Sequence, residues 1–236
     1  MKLLFSASNA LNKWLKTDLS RLPTREGKQA GVNTLKSDST AMCWQAHVID
    51  NRYKSYEKTI IVCEANSRFV FFIPVTLPLT VDELTQLLTM EWQAMLAETL
   101  ESYQSADGRM PRSEIALLLS ELSDITFNVD WVKNTDLSIN GHISDAGIWV
   151  EQILREQGAS QLSAHQATEL AIYLNTSVKR ITNKETKRKE KVIPIKELLA
   201  YCQALVKSEY LGDVNKVASG GACDSSNVVY LKHYRK

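Results

Sequence analysis

The stretch that most limits what this chain can fold into is residues 58–75, Lys-Thr-Ile-Ile-Val-Cys-Glu-Ala-Asn-Ser-Arg-Phe-Val-Phe-Phe-Ile-Pro-Val. Two runs of β-branched and aromatic residues, 59–63 and 69–73, flank the polar break Glu64-Ala65-Asn66-Ser67. The side chains of that break can hydrogen-bond their own backbone, and strand formers on either side of turn formers specify a β-hairpin. Neither run alternates apolar with polar residues, so both faces of the hairpin are expected to be covered, most simply by helices. Residues 42–49, Met-Cys-Trp-Gln-Ala-His-Val-Ile, have the same strand character and precede the hairpin by one polar connection, which makes a three-stranded meander.

Helices follow. Thr80 and Glu83 have capping-box spacing, and Leu84, Leu87, Leu88, Met95 and Leu96 then line one helical face to about residue 103. Asp107-Gly108 interrupts this helix, and Pro111 opens a second whose buried stripe is Ile115, Leu118, Leu119 and Leu122. Residues 125–131 alternate strictly, the pattern of a half-buried strand. A polar turn over 133–141, with Gly141 left-handed, is expected to lead into a helix over 143–157 closed by Gly158. Ser163 caps a helix over 165–175, and Pro194 opens a last one carrying Ile195, Leu198, Leu199, Cys202 and Leu205.

At the N-terminus, residues 2–7 read as a short strand, and Ser8 caps a short helix with Leu11, Trp14 and Leu15 on one face. Residues 17–39 are polar, with Pro23, Gly27 and Gly31, and read as a long surface loop, either mobile or part of a binding surface. The fold class expected is α+β: a small, mainly antiparallel sheet packed with amphipathic helices, plus a helical C-terminal extension. The expected division is an α+β body over 1–158, a helical extension with a basic loop over 159–207, and a flexible tail over 208–236, where glycine and serine dominate. Residues 228–231 are a short apolar run within it.

Composition excludes more than it assigns. A formal net charge of +1 over 236 residues gives no global field toward nucleic acid or membrane, so any such affinity must be local. Cys43, Cys63, Cys202 and Cys223 form no Cys-x-x-Cys pair, which argues against zinc or redox chemistry and for reduced thiols in a cytosolic protein. The apolar start Met1-Lys2-Leu3-Leu4-Phe5 stops at Ser6, too soon for a secretory signal, and no later stretch approaches the length of a membrane span. No metal or cofactor is expected, and the location expected is cytoplasmic.

Three blocks carry a resemblance. They are Lys2-Leu3-Leu4-Phe5 with Leu11-Asn12-Lys13, then Trp44 through the hairpin with its Arg68, then Asn134-Thr135-Asp136-Leu137-Ser138-Ile139-Asn140-Gly141-His142-Ile143-Ser144-Asp145. Taken in order, over roughly the first two-thirds of the chain, they resemble an uncharacterised bacterial family. Its members share an N-terminal strand–helix, a hairpin with an arginine near its turn, and a Thr-x-x-Ser-x-x-Gly-x-x-x-Asp block opening a helix. Thr135, Ser138, Gly141 and Asp145 match that block, while Leu137 stands where the pattern expects a basic residue. The resemblance implies an α+β fold and no reaction.

Two stretches are candidate sites. Residues 135–145 join a strand to a helix N-terminus, where free backbone N–H groups can receive an anion, and Thr135, Asp136, Ser138, Asn140 and His142 crowd the approach. The competing reading is that these are turn and capping residues, since the stretch lacks the glycines and lysine of a phosphate loop. Residues 179–191 carry Lys179, Arg180, Lys184, Lys187, Arg188, Lys189 and Lys191 against only Glu185 and Glu190. Such a run can grip phosphates or an acidic partner, but it has no interleaved aromatics and reads as a solvated inter-helix loop. Among the four histidines, His142 with Asp136 or Asp145 is a conceivable catalytic pair, but no nucleophile motif accompanies it. The five tryptophans, Trp14, Trp44, Trp92, Trp131 and Trp149, fall in expected elements as core or groove residues. The leading expectation is a non-enzymatic cytosolic interaction protein of bacterial or mobile-element origin, binding a protein partner. The alternatives are a nucleic-acid binder using 179–191 and a small enzyme or anion-binding protein centred on 135–145. Oligomeric state is left open.

Overall fold

The computed structural model describes residues 1–23, 32–52, 55–107, 110–182 and 188–219, with the side chains of 104–107, 182 and 208–219 left aside. Strands β1 (Lys2–Ala7), β2 (Ala41–Asp50), β3 (Lys58–Glu64), β4 (Val70–Val75) and β5 (Asn128–Lys133) form one sheet in the order β4-β3-β2-β1-β5. The meander β2–β3–β4 is antiparallel, as its short polar connections require. β1, however, pairs in parallel with both β2 and β5, in register Phe5↔Trp44 and Phe5↔Trp131. The sheet is therefore mixed, not mainly antiparallel. Parallel neighbours need crossovers. One is α1 (Asn9–Trp14) with the long loop after it, and the other is the helix pair α2 (Val81–Asp107) and α3 (Arg112–Asp124).

The run Leu3-Leu4-Phe5 is apolar throughout because β1 is covered on both faces. One face carries Phe5, Trp44, Phe71 and Trp131 beneath α2. Trp44 lies 6.1 Å from Trp92 and 5.5 Å from Phe71, ring centre to ring centre, and Trp131 Nε1 donates to Thr85 Oγ1 at 2.7 Å. Trp44 and Trp92 are fully buried, and each contributes about 4–6 kcal/mol of gross burial free energy. The opposite face is covered by α4 (Leu137–Gln157), whose Gly147 faces Ile49 and Ile61. Helix α5 (Ala164–Thr176) lies along β4 at the sheet edge, and α6 (Pro194–Ser219) packs on α3 and α5. A single cluster of buried side chains runs from Leu3 to Val206, so the helices after Gly158 share the core of the sheet.

The local signals act as their chemistry requires. Thr80 Oγ1 accepts from Glu83 N–H at 3.2 Å while Glu83 Oε2 accepts from Thr80 N–H at 2.7 Å. Ser163 and Gln166 form the same reciprocal box at the start of α5, and Gly158 closes α4 with φ 64. Two local expectations are corrected. The turn over 133–141 does not exist: β5 runs to Lys133 and Asp136 caps α4, so Gly141 is helical. The apolar stripe Ile139, Ile143, Ala146, Val150 and Leu154 explains why, since its first member lies before the Asn140-Gly141 pair that masks it. The basic stretch 179–191 is likewise not a plain loop. It forms a second sheet, the antiparallel ribbon β6 (Lys179–Thr182) and β7 (Lys189–Val192), with Lys184 and Lys187 outside the described residues. Helix α6 continues to Ser219, into the segment expected to be a tail; 220–236 lie outside the described residues.

Candidate nucleic-acid interface

The block 134–145 is built first by its strand and then by its cap. Where β5 ends, Asn134 turns its amide onto the incoming loop: Oδ1 accepts from Asn33 N–H at 2.7 Å and Nδ2 donates to Asn33 O at 2.9 Å. Ser6 Oγ donates to Asn134 O at 3.0 Å, which ties the end of β1 to the same point. Asp136 is 4% exposed. Its carboxylate accepts from Leu35 N–H at 2.9 Å, Ser138 N–H at 2.8 Å and Ile139 N–H at 3.4 Å, and its own N–H donates to Gln45 Oε1 at 2.7 Å. Asp136 is thus the cap of α4 and the anchor of the loop, and its acceptors are engaged by the fold.

Arg68 closes this region from the hairpin side. Its backbone is left-handed at φ 64, the residue is buried, and its guanidinium donates to Ala65 O and, at 3.0 Å, to Ser138 Oγ. The buried Glu64 carboxylate holds the turn beneath it, accepting from Ser37 Oγ, from Asn66 N–H at 2.9 Å and from Ser67 N–H at 2.6 Å. The hairpin turn, through Arg68, and the incoming loop, through Leu35, therefore meet at the N-terminus of α4.

One turn further along α4 the surface opens into a cleft of about 720 Å³. It is lined from α4 by His142, Asp145 and Trp149, from α5 and its end by Tyr173 and Ser177, and from the ribbon by Lys179, Arg180 and Lys191. Of the five residues singled out in 135–145, only His142 reaches the cleft; Thr135, Asp136, Ser138 and Asn140 stay at the first turn. Of the basic set, Lys179, Arg180 and Lys191 line it, while Lys189 opens β7 outside the lining and Arg188 precedes it. The two candidate stretches are thus one site, brought together by α4, α5 and the ribbon.

Its electrostatics favour an anion. Burial, then the positive charges of Arg68 and Lys179, push the His142 imidazole down to about 4, so it is neutral at physiological pH. Burial also lowers the Lys179 ammonium from its ordinary value. Arg180 and Lys191 stand directly opposite each other in the ribbon, where like charges cost stability. Among the described residues no ion pair relieves Lys179, Arg180 or Lys191. Among the described residues Asp145 is the one carboxylate in the lining. Ser177 donates its hydroxyl to Tyr173 O at 2.7 Å, so it is not aligned as a nucleophile with His142.

Sequence reasoning offered Trp149 as a core or groove residue but missed its pairing with Tyr173 as an aromatic wall. Trp149 and Tyr173, 37% and 52% exposed, meet edge to face with ring centres 5.3 Å apart. They belong to different helices from the basic run, so no interleaving appears in the sequence. The missed ribbon had a usable signal, the β-branched residues Ile181 and Val192 within it and Val178 and Ile193 at its flanks. Among the described residues no group of histidine, cysteine or carboxylate side chains could hold a metal ion, and no helix is long and apolar enough to cross a membrane.

These features define an α+β protein with a mixed sheet and a basic, aromatic-walled cleft. Compared with family models, curated proteins and solved structures, the chain matches none.

Proposed function

We propose that the protein binds nucleic acid through the cleft between α4, α5 and the β6–β7 ribbon, without catalysing a reaction. The observation that carries this reading is the cross-strand pair Arg180↔Lys191, two like charges held opposite each other at the rim of a cleft beside Lys179. A bound anion would offset this repulsion. A cytoplasmic location, as the sequence suggests, goes with this reading.

The test is fluorescence anisotropy with a labelled oligonucleotide across a salt series. Neutralisation of about three phosphates predicts a slope of log affinity on log salt near about −2. The double change Arg180→Glu with Lys191→Glu is expected to weaken binding by more than about tenfold and to flatten that slope. Absence of binding at low salt, or an unaltered affinity in the double variant, ends the proposal.

A protein partner, the leading expectation from sequence, is favoured by a separate observation. Val178, in the lining of the cleft, is 60% exposed, and Ile148 on α4 is 62% exposed, exposed apolar side chains of the kind that protein contacts use. A partner recovered after nuclease treatment and lost on Ile148→Glu would favour this second reading.

A further inference from the structure

Beyond the Trp149–Tyr173 wall lies a second hollow of about 280 Å³, whose chemistry is the reverse of the first. Ile153 and Leu170 floor it, and Gln152, Glu156 and Glu169 rim it. Glu169 is partly engaged by His165, whose Nε2 lies 3.3 Å from its carboxylate. The wall is common to both hollows, so cations stand on one side of an aromatic pair and the carboxylates of Glu156 and Glu169 on the other, Glu156 already accepting from Gln152 Nε2 at 2.8 Å. Along α4, His142, Asp145, Trp149, Gln152, Ile153 and Glu156 follow one another at helical spacing, which makes the two hollows one continuous strip.

A carboxylate rim repels phosphate, and an apolar floor beside exposed aromatic rings receives a base. Carboxylates accept hydrogen bonds from the exocyclic amino groups of cytosine and adenine, whereas thymine offers them only its N3–H, flanked by two carbonyl oxygens that a carboxylate repels. In a duplex the hydrogen-bonding edge of the base is already paired and its faces are stacked, so only an unpaired base fits this arrangement. We infer that the ligand is single-stranded nucleic acid, with backbone phosphates held by Lys179, Arg180 and Lys191 and an amino-bearing base against Trp149 and Tyr173, its edge turned to Glu156 and Glu169. The inference rests on the nucleic-acid reading above and adds the strand state and the base class.

The experiment uses the full chain and short labelled homo-oligomers of deoxycytidine, deoxyadenosine and thymidine, with a duplex of the same length. The cytosine and adenine strands are expected to bind at least about tenfold more tightly than thymine or duplex, as the loss of one base–aromatic stack or its hydrogen bonds requires. Trp149 is the most exposed tryptophan of the chain's described residues, so the cytosine strand is expected to quench fluorescence in the wild type and not in Trp149→Phe. Because that change could alter packing, Glu156→Gln provides a second arm at an exposed position: it is expected to shrink the preference for cytosine over thymine while leaving the salt slope unchanged. Equal affinity for single strand and duplex, or for thymine and cytosine, overturns the inference and leaves nucleic-acid binding standing. No binding of any probe, at any salt, overturns both.

Discussion

The carboxamide of Asn175 pairs with the peptide of Val70 as a neighbouring strand would: Oδ1 accepts from Val70 N–H and Nδ2 donates to Val70 O, both at 2.8 Å. Val70 opens β4, the edge of the sheet, and its N–H and C=O point away from β3. An exposed edge invites pairing with another chain. Here α5 covers it, and Pro74, which alternates in phase with Val70 and Phe72, removes a further outward donor.

Asn175→Ala leaves a buried donor and a buried acceptor without partners. It is expected to cost about 2–4 kcal/mol, read as a lowered urea midpoint with little change in slope. Asn175→Asp keeps the acceptor for Val70 N–H, loses the donor, and buries a charge, so it should be no more stable than the alanine variant. A midpoint equal to wild type in Asn175→Ala would show that water replaces the amide at no cost.

Asp136 separates a structural role from a ligand role. Asp136→Ala strips three N–H groups of their acceptor and should cost about 2–4 kcal/mol, with Asp136→Asn intermediate. Oligonucleotide affinity of the folded fraction is expected to stay as in wild type, because Asp136 does not line the cleft. Loss of affinity at unchanged stability would return Asp136 to the binding site.

His142 makes stability depend on pH. Its ordinary value of 6.5 is lowered to about 4 in the fold, first by burial and then by Arg68 and Lys179, with Asp145 opposing. Between those values the unfolded chain takes up the proton and the folded chain does not. This stabilising contribution is therefore complete above 6.5 and is lost as pH falls toward 4. His47, lowered by burial while its Nδ1 meets Ser8 Oγ at 2.8 Å, acts in the same direction. Urea midpoints taken at about pH 7.5 and about pH 5 should fall less in His142→Gln than in wild type. Equal falls would assign the acid sensitivity elsewhere.

The buried cysteines should be inert. Burial pushes the Cys43 thiol up to about 11 and Cys63 up to about 12, and raises Cys202 as well. With so little thiolate near neutral pH, alkylation mapped by mass spectrometry should spare all three in the native protein and label them in urea. Rapid native labelling of Cys63 would mean that β3 opens on the time scale of the reaction.

Much of the architecture could be read from local chemistry. The hairpin at 58–75, the box at Thr80 and Glu83, the glycine stop at Gly158 and the cap at Ser163 each depend on residues within a turn of one another. The half-buried strand β5 was legible too, displaced by two or three residues at its ends. The start of α4 was not, because Asn140-Gly141 imitates a turn that Asp136, supported by Leu35 N–H and Gln45, overrides. The cluster of buried side chains continues past the cap at Gly158 through Leu170 and Leu198.

The sequence by itself determined which segments become strands and helices and where most of them stop, since spacing, caps and turn residues act over a few residues. Only the tertiary structure decided that β1 lies parallel between β2 and β5, because strand partners depend on how long crossovers close and local pattern does not encode them. Tertiary structure likewise decided that His142, Trp149 and Tyr173 face Lys179, Arg180 and Lys191 across one cleft. Those residues come from two helices and a ribbon with no fixed sequence spacing. The packing of α4 and α5 on the sheet, each driven by its own apolar stripe, sets their distance, so the site emerges from burial rather than from any motif.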